Sequence, residues 1–207
     1  MRLKVPGRAA ENYRAVREPS SLKAPSGHGL AEIPKRQLGP LSWVARRGKV
    51  RFFMRWLAAD ARILDMGCGD GWFQEGCAAL GRENVTGIDL YPPADIVGDV
   101  HDWAALGLEP HSFDAIVAFE VVEHDDFWEV FHELLKPDGV LIVTTPVPVV
   151  DPLLRVLEAL RMLQRRSSPH DHLTDVRGVP HFTVAERRIK AFVSQWAVLR
   201  PLAVECS

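Results

Sequence analysis

The sequence has little that would place it in a membrane or in a disulfide-rich secreted class. Its longest apolar stretch, Val140 to Val150, is interrupted by threonines and prolines, so it is too short and too broken to cross a bilayer. Arginines recur through the first residues, where a signal peptide would have its apolar centre. Only three cysteines are present, Cys68, Cys77 and Cys206, which excludes a fully paired disulfide framework. We therefore expect a cytoplasmic protein.

The net charge is only −2, but it is unevenly distributed. Residues 1–55 hold 13 basic and 3 acidic residues, whereas the rest of the chain holds 12 basic and 24 acidic ones. A basic segment beside an acidic body can attract nucleic acid, phosphorylated ligands or anionic lipid, or it can dock on its own acidic domain. Because aromatic residues are sparse in this segment, we favour the intramolecular interpretation, and nucleic acid stays an alternative partner.

The first 42 residues differ in composition from the remainder of the chain. Glycine and proline are frequent there and no apolar period is sustained, so we predict an irregular basic arm over residues 1–42. Residues 43–207 are long enough to bury the core of one α/β domain.

Strands and helices alternate through the middle of the predicted domain. Apolar residues at helical spacing predict a helix from Trp43 to about Asp60. Near-continuous apolar strands indicate a parallel sheet covered on both faces, and the fold class is therefore α/β, doubly wound, with about six strands. The predicted strands are Ile63-Leu64, Val85–Leu90, a weak Asp95–Val97, Phe113–Phe119 and Val140–Thr145, and the predicted helices are Trp72–Leu80 and Phe127–Leu135. Composition predicts a turn at Lys136–Gly139.

The region after Pro146 carries weaker signals. Apolar residues between Leu153 and Leu163 alternate with charged ones and predict an amphipathic helix, which we expect to pack on the sheet; a substrate lid and a membrane-surface helix are alternatives. We further predict a helix over Val184–Trp196 and a last strand over Ala197–Glu205.

A glycine-rich turn follows the first predicted strand, in Ile63–Gly71, "ILDMGCGDG". Glycines let the backbone turn tightly and approach a ligand closely. The third glycine of the dinucleotide fingerprint is replaced by Trp72, and no Gly-Lys-Ser/Thr phosphate loop is present. Asp65 and Asp70 would repel phosphate. The turn therefore suits a cationic ligand that contains a nucleoside.

Two further acids follow the next strands. Asp89 closes the second strand, where a carboxylate can accept both ribose hydroxyls. Asp99 follows the third strand, at the height where an adenine amino group could be recognised.

Five sequence segments follow one another between Ile63 and Pro146: "ILDMGCGDG", "VTGIDL", "DIVGDV", "FDAIVAFEVVEH" and "LLKPDGVLIVTTP". In order and spacing they resemble the class I S-adenosylmethionine-dependent methyltransferases. The resemblance implies a Rossmann-like fold and S-adenosyl-L-methionine as cofactor. It also implies a methyltransferase domain over 43–207, with the cofactor half at 61–146 and a lid helix, late loop and last strand at 147–207.

The resemblance also implies roles for individual residues. The glycine turn would line the methionine part of the cofactor, the second strand would bind the ribose, the third would bind the adenine edge, and Glu120 would stand at the mouth. The predicted cofactor residues are Asp65, Gly67, Cys68, Gly69, Asp89, Leu90, Asp99, Val100 and Glu120.

The segment Glu120-Val-Val-Glu-His124 places Glu120, Glu123 and His124 on one face if the chain coils after its strand. These three predicted catalytic residues can form half of a site for Mg²⁺, Mn²⁺ or Zn²⁺. A further ligand is available at His170, His172 or His181. The segment is similar to that of ubiquinone-biosynthesis O-methyltransferases and of small-RNA 2′-O-methyltransferases. In the RNA enzymes a distant histidine completes the metal site, and His181 is placed similarly. Without a metal, His124 is the candidate general base.

We expect methyl transfer to a small-molecule acceptor by direct displacement, with an oxygen acceptor favoured. RNA 2′-O-methylation, a non-catalytic cofactor-binding subunit, and a membrane-surface enzyme acting on a lipid or quinone are the alternatives. Members of the resembled family usually end in an antiparallel hairpin. Because one candidate strand is visible here, we expect a shortened sheet edge or one completed by a partner, as in a homodimer.

Overall fold

The structure is a computed structural model that describes residues 40–147, 175–190 and 194–202, with side chains from residue 44 onward. Most of the predicted basic arm lies outside the described residues. So do the predicted helix after Pro146, His170 and His172. No helix among the described residues is long and apolar enough to cross a bilayer.

A seven-stranded sheet forms the centre of the described chain, with strand order β3-β2-β1-β4-β5-β7-β6. Strands β1 to β5 are parallel, and β7 pairs antiparallel with both β5 and β6. The strands are β1 Ile63–Met66, β2 Val85–Asp89, β3 Ile96–Val97, β4 Phe113–Phe119, β5 Leu135–Pro146, β6 Phe182–Lys190 and β7 Ser194–Pro201. The α-helices are α1 Pro40–Phe53, α2 Trp72–Ala78 and α3 Trp128–Leu134.

Strand β4 shows why the middle strands are apolar throughout. Ala115, Val117 and Phe119 are buried in one cluster with residues of α1 and α2, whereas Ile116 and Ala118 belong to a second cluster with α3. Side chains alternate along a strand, so a sheet with helices on both faces needs apolar residues at every position. The predicted doubly wound α/β fold is confirmed.

The predicted turn at Lys136–Gly139 is wrong, because these residues lie within β5. Phe113 of β4 pairs with Leu135 and Ala115 pairs with Val140, so four residues of β5 stand opposite one residue of β4. The extra residues bulge out of the ladder while the pairs on either side keep the strand continuous.

The predicted helix at Val184–Trp196 is also wrong, because β6 and β7 form an antiparallel hairpin there. Strand β6 is the edge strand of the sheet, and most of its residues are exposed. Charged side chains with good helix propensity are therefore tolerated at Glu186–Arg188. Strand β7 is mostly buried and pairs Leu199 with Leu141 of β5. The chain thus completes its own sheet, and the expectations of a shortened edge and of a partner's strand are corrected.

Helix α1 is fixed to one face of the sheet by an aromatic cluster. It ends at Phe53, not near Asp60, and a short 3-10 turn follows at Met54–Trp56. Phe53 is fully buried, with its ring centroid 5.8 Å from that of Phe119 and 5.5 Å from that of Trp196. This contact determines where the other side chains of α1 lie.

We expect Phe53→Ala to lower the free energy of unfolding by about 3–5 kcal/mol, because it leaves a cavity between α1 and the sheet. Urea unfolding followed by circular dichroism measures the change. Val44→Ala is the matched control, since Val44 is an exposed residue of the same helix and should change stability by less than about 0.5 kcal/mol. Equal effects of the two substitutions would contradict the packing described.

Candidate active site

The carboxyl ends of three parallel strands meet at one edge of the sheet. Strand β1 lies between β2 and β4 and pairs with both in parallel register. The glycine turn follows β1, Asp89 ends β2 and Glu120 follows β4. Loops at this edge, beside the point where strand order reverses, form the usual ligand crevice of open α/β sheets.

The glycine turn packs tightly against the loop that follows β4. Gly67 and Gly69 have φ values of +69° and +57°, a region that side chains disfavour. A Cβ on Gly67 would lie 2.4 Å from Cγ2 of Val121, so only glycine allows this approach. A Cβ on Gly69 would meet no described atom within 4 Å, which leaves that side of the turn open to a ligand.

Asp89 ties the glycine turn to the end of β2. The amide of Gly69 donates to Oδ2 of Asp89 over 3.0 Å, and the amide of Tyr91 donates to Oδ1 over 3.1 Å. Each carboxylate oxygen has two acceptor positions, so both can still accept a hydroxyl. Leu90 is 59% exposed beside this carboxylate, where its apolar side chain can cover part of a flat ring.

The loop after β3 adds the predicted adenine residues to the same edge. Asp99 is exposed, and its Oδ1 accepts from the amide of His101 over 3.0 Å, which caps a 3-10 turn. Val100 is buried in the core beneath. The imidazole of His101 stacks on Phe127, with centroids 5.1 Å apart, and connects this loop to the one after β4.

Asp65 lies below the glycine turn with only 2% of its surface exposed. Its Oδ2 receives no hydrogen bond from the described residues. Burial, followed by the charge of Asp89, raises the pKa of Asp65 well above its usual range. Burial likewise raises the pKa of the Cys68 thiol to about 12, so this cysteine is not a nucleophile. The turn thus combines a buried acid with an inert thiol.

The three residues predicted to act together differ in exposure in the loop after β4. Glu120 has a φ of +58°, and its Oε1 accepts from Nζ of Lys49 over 2.7 Å and from Oγ1 of Thr144 over 2.9 Å. Glu123 is fully buried, whereas Glu120 and His124 are partly exposed. The loop therefore encloses one of the three residues and leaves the other two accessible.

Glu123 is a buried acid next to another acid. Burial, and then the charge of Glu120, raise the pKa of Glu123 to about 8, although Thr145 and Lys49 act in the opposite direction. The raised pKa favours the protonated form of the Glu123 carboxyl at neutral pH.

The four predicted metal ligands, Glu120, Glu123, His124 and His181, are not assembled. No three His, Cys, Asp or Glu residues within the described ranges lie where they could hold a metal. Nε2 of His181 instead lies 2.8 Å from Oε2 of Glu129 on α3. Glu123 is enclosed in the core, so its carboxyl is not presented to an open site. The described residues therefore do not fit a metal centre.

Two basic residues of α1, which the sequence patterns did not single out, also lie at this edge. Nη1 of Arg46 lies 2.9 Å from Oδ2 of Asp70 in the glycine turn, and its guanidinium covers the ring of Trp72. Lys49, three residues later, contacts Glu120. Helical periodicity indicated an amphipathic helix, but nothing in one sequence shows which of its many basic residues contact acids after distant strands.

Asp95 also contributes to this edge, although the sequence patterns did not indicate it. Its Oδ2 accepts from Nε2 of Gln74 and from the amide of Gly87, each over 2.7 Å, and so links the loop after β2 to α2.

The raised pKa of Glu123 predicts that stability decreases as pH rises. The native state keeps a proton on Glu123 up to about pH 8, whereas the unfolded state releases it near the ordinary glutamate value of 4.5. Stabilisation is thus complete below the unfolded value and is lost between these two pH values, at up to about 1.4 kcal/mol per pH unit. Asp65 contributes with the same sign.

Chemical unfolding at pH 5, 6, 7 and 8 measures this slope. We expect Glu123→Gln to reduce it, with little change from the exposed control Glu75→Gln. A slope that Glu123→Gln leaves unchanged would contradict the protonated state of Glu123.

Similarity to known proteins bears on this site. The profile of a family described as "Methyltransferase domain" matches residues 42–185. A ubiquinone biosynthesis O-methyltransferase of Xanthomonas campestris pv. campestris (strain B100) is 37% identical over 103 residues, which cover 41% of this chain and 43% of that protein. The matched region thus spans less than half the length of this curated relative.

Two solved structures share the fold. The PH0226 protein of Pyrococcus horikoshii OT3 superposes with a TM-score of 0.56 at 19% identity, over 78% of this chain and 92% of that one. The 1,6-didemethyltoxoflavin-N1-methyltransferase of Burkholderia thailandensis, solved with S-adenosylhomocysteine, has a TM-score of 0.50 at 18% identity, over 78% of this chain and 81% of that one.

Proposed function

Since the chain belongs to the methyltransferase domain family, we propose that it transfers a methyl group from S-adenosylmethionine to a hydroxyl of a small molecule. The acidic crevice around the glycine turn carries this proposal. Residues 43–207 would form the methyltransferase domain, with the cofactor in the half at 61–146. The similarity of this chain to a ubiquinone biosynthesis O-methyltransferase supports an oxygen atom as the methyl acceptor.

The residues of the crevice fit the cofactor part by part. The methionine moiety would lie on the open side of Gly69, where a side chain would otherwise stand. Asp89 keeps acceptor positions for two ribose hydroxyls, and Leu90 and Asp99 flank the place for adenine. Carboxylates outnumber basic groups here, which favours the ammonium and sulfonium cations of the cofactor.

When bound, the cofactor supplies an electrophilic methyl group on its sulfonium sulfur and leaves as S-adenosylhomocysteine. The chain would contribute alignment of the acceptor oxygen with that methyl group and removal of the acceptor's proton. No covalent bond to the protein is required.

His124 would be the general base for the acceptor hydroxyl. Of the three acid-base candidates after β4, Glu123 is buried and protonated at neutral pH, and Glu120 is bonded to Lys49 and Thr144. His124 is partly exposed, and its turn is closed by a 3.0 Å hydrogen bond from its amide to the carbonyl of Val121. Since the described residues do not fit a metal, no step is assigned to one.

We expect Asp89→Asn to weaken binding of S-adenosylhomocysteine by about 10–100-fold, because hydrogen bonds to a charged group contribute about 1.5–3 kcal/mol. Isothermal titration calorimetry measures the affinity. Asp138→Asn is the matched control, since Asp138 is an exposed residue of the β5 bulge, at the opposite edge of the sheet. If the wild-type protein did not bind S-adenosylhomocysteine, the proposed function would be wrong.

We expect His124→Ala to lower the rate of methyl transfer to catechol-type test acceptors by about 10²–10⁴-fold, the usual contribution of a general base, while cofactor affinity is retained. Transfer from radiolabelled S-adenosylmethionine measures the rate, with and without EDTA. His181→Ala and the chelator should both leave it unchanged. Loss of activity in EDTA that Mg²⁺ restores, together with loss in His181→Ala, would instead favour the predicted metal set.

A further inference from the structure

Strand β6 forms one edge of the sheet, and no other described strand lies on its outer side. It is a long edge strand of nine residues, whereas β3 at the other edge has two. The backbone N–H and C=O groups along the outer side of such a strand are a template for pairing with a further strand. The side chains of β6 determine which strand would fit.

Two exposed apolar side chains lie on one face of β6. Val184 is 36% exposed and Ile189 is 42% exposed. They are five positions apart, and an odd separation places residues on opposite faces of a regular strand. The pairing with β7 skips Ala185, however, which is a bulge between Val184 and Glu186. Val184 pairs with Leu199, which is buried in the cluster that contains α3, and the bulge returns Ile189 to this same face.

The opposite face of β6 carries charges of alternating sign. Glu186 and Arg188 lie on the side of α1, since Glu186 accepts from Arg55 and the Arg188 guanidinium covers the ring of Phe52. Nε of Arg188 also donates to Oε1 of Glu186 over 2.7 Å. Charges on an edge strand commonly prevent pairing with other chains. An acid and a base two positions apart, however, meet an identical antiparallel strand with opposite charges.

An antiparallel pairing of β6 with β6 of a second copy satisfies both faces if the two-fold axis passes at Arg187. With the bulge kept in each strand, Val184 lies opposite Ile189 of the partner subunit, and Glu186 lies opposite Arg188 of the partner subunit. The symmetry forms each pair twice, and the two side chains of a pair are on the same face. Apolar pairs and pairs of opposite charge directly across two strands stabilise a sheet.

Arg187 itself lies at the axis, where two like charges directly opposite each other would destabilise the pairing. Its side chain is directed to the inner neighbour instead. Nε and Nη2 of Arg187 donate to Oε1 of Gln195 on β7, over 3.3 and 3.0 Å. The guanidinium therefore lies over the chain's own sheet, and not at the outer side of β6.

We propose that the outer edge of β6 binds the same edge of a second copy of this chain, antiparallel and about a two-fold axis at Arg187. The hairpin of β6 and β7 completes the sheet within one chain, so the second copy extends the sheet and is not needed to complete it. The inference does not depend on the proposed function. Pairing over residues 183–190 is smaller than a standard interface of about 1,600 Å², and we therefore expect a dimer that dissociates at micromolar concentration.

Sedimentation velocity of the full chain over about 1–500 µM tests the association, because this range includes the dissociation constants of small interfaces. Val184→Glu and Ile189→Lys should each weaken dimerisation by about 10-fold or more, since each places a charge opposite an apolar side chain in both pairs. The double variant should restore it, because opposite charges then face each other. Val44→Glu is the matched control, an exposed apolar residue of α1 whose substitution should leave the dimer unchanged.

Disulfide cross-linking in a Cys206→Ser background tests the register. Val184→Cys combined with Ile189→Cys should give a covalent dimer on oxidation, since directly opposite residues are close enough to bridge. Within one chain these two positions are too far apart along the strand to bridge. Thr183→Cys combined with Ile189→Cys is the control, because Thr183 lies on the other face and one pair out of register, and it should cross-link far less.

Binding of S-adenosylhomocysteine provides a separate control for the fold. The proposed crevice lies at β1, β2 and β4, and β5 and β7 stand between it and β6. The variants of Val184 and Ile189 should therefore keep the wild-type affinity. Absence of binding by the wild type would refute the proposed function and leave the inference about β6 intact.

Three outcomes would overturn the proposal. The first is a protein that stays monomeric over the whole range of concentration; protection of the outward amides of β6 from hydrogen exchange in that monomer would show that another segment of the same chain covers the edge. The second is a dimer that Ile189→Lys does not weaken, since the contact would then lie elsewhere. The third is equal cross-linking of the two cysteine pairs, which would exclude the register.

Discussion

The site depends on the parallel pairing of β1 with β2 on one side and β4 on the other. Because the three strands run in the same direction, the residues that follow them arrive at one edge, although Gly67 and Glu120 are 53 positions apart in sequence. One hydrogen bond, from the amide of Gly69 to Asp89, ties the first two strand ends together. The close approach of Gly67 to Val121 ties the first to the third.

Burial of acids at this edge has an electrostatic cost that is offset in two ways. Asp65 and Glu123 lie in the core, where burial raises their pKa values and favours the neutral carboxyl. Asp70 and Glu120 stay near the surface and are paired with basic residues of α1. The helix that precedes the sheet thus balances the charge of loops that follow β1 and β4, and the remaining negative charge favours a cationic ligand.

The parts of the fold that were predicted from the sequence are those whose signal is local. The run Phe113–Phe119 is apolar because both faces of β4 are buried, and the glycine turn is visible because its backbone needs glycine. The hairpin of β6 and β7 was missed because an edge strand exposes charged residues that also suit a helix. Ion pairs such as Lys49–Glu120 join residues 71 positions apart, and no local pattern records them. The spacing of Glu120, Glu123 and His124 suggested a shared face, but the turn that follows β4 buries Glu123 instead.

We propose that the crevice at the carboxyl ends of β1, β2 and β4 binds the S-adenosyl nucleoside shared by S-adenosylmethionine and S-adenosylhomocysteine. Amide NMR spectra recorded during titration with S-adenosylhomocysteine test it most directly, because they locate the ligand on the backbone. We expect shifts concentrated in residues 66–71, 89–91, 98–101 and 119–124, with the opposite edge of the sheet around Trp56 and Arg200 unchanged. Absence of saturable shifts, or shifts centred on that opposite edge, would contradict it.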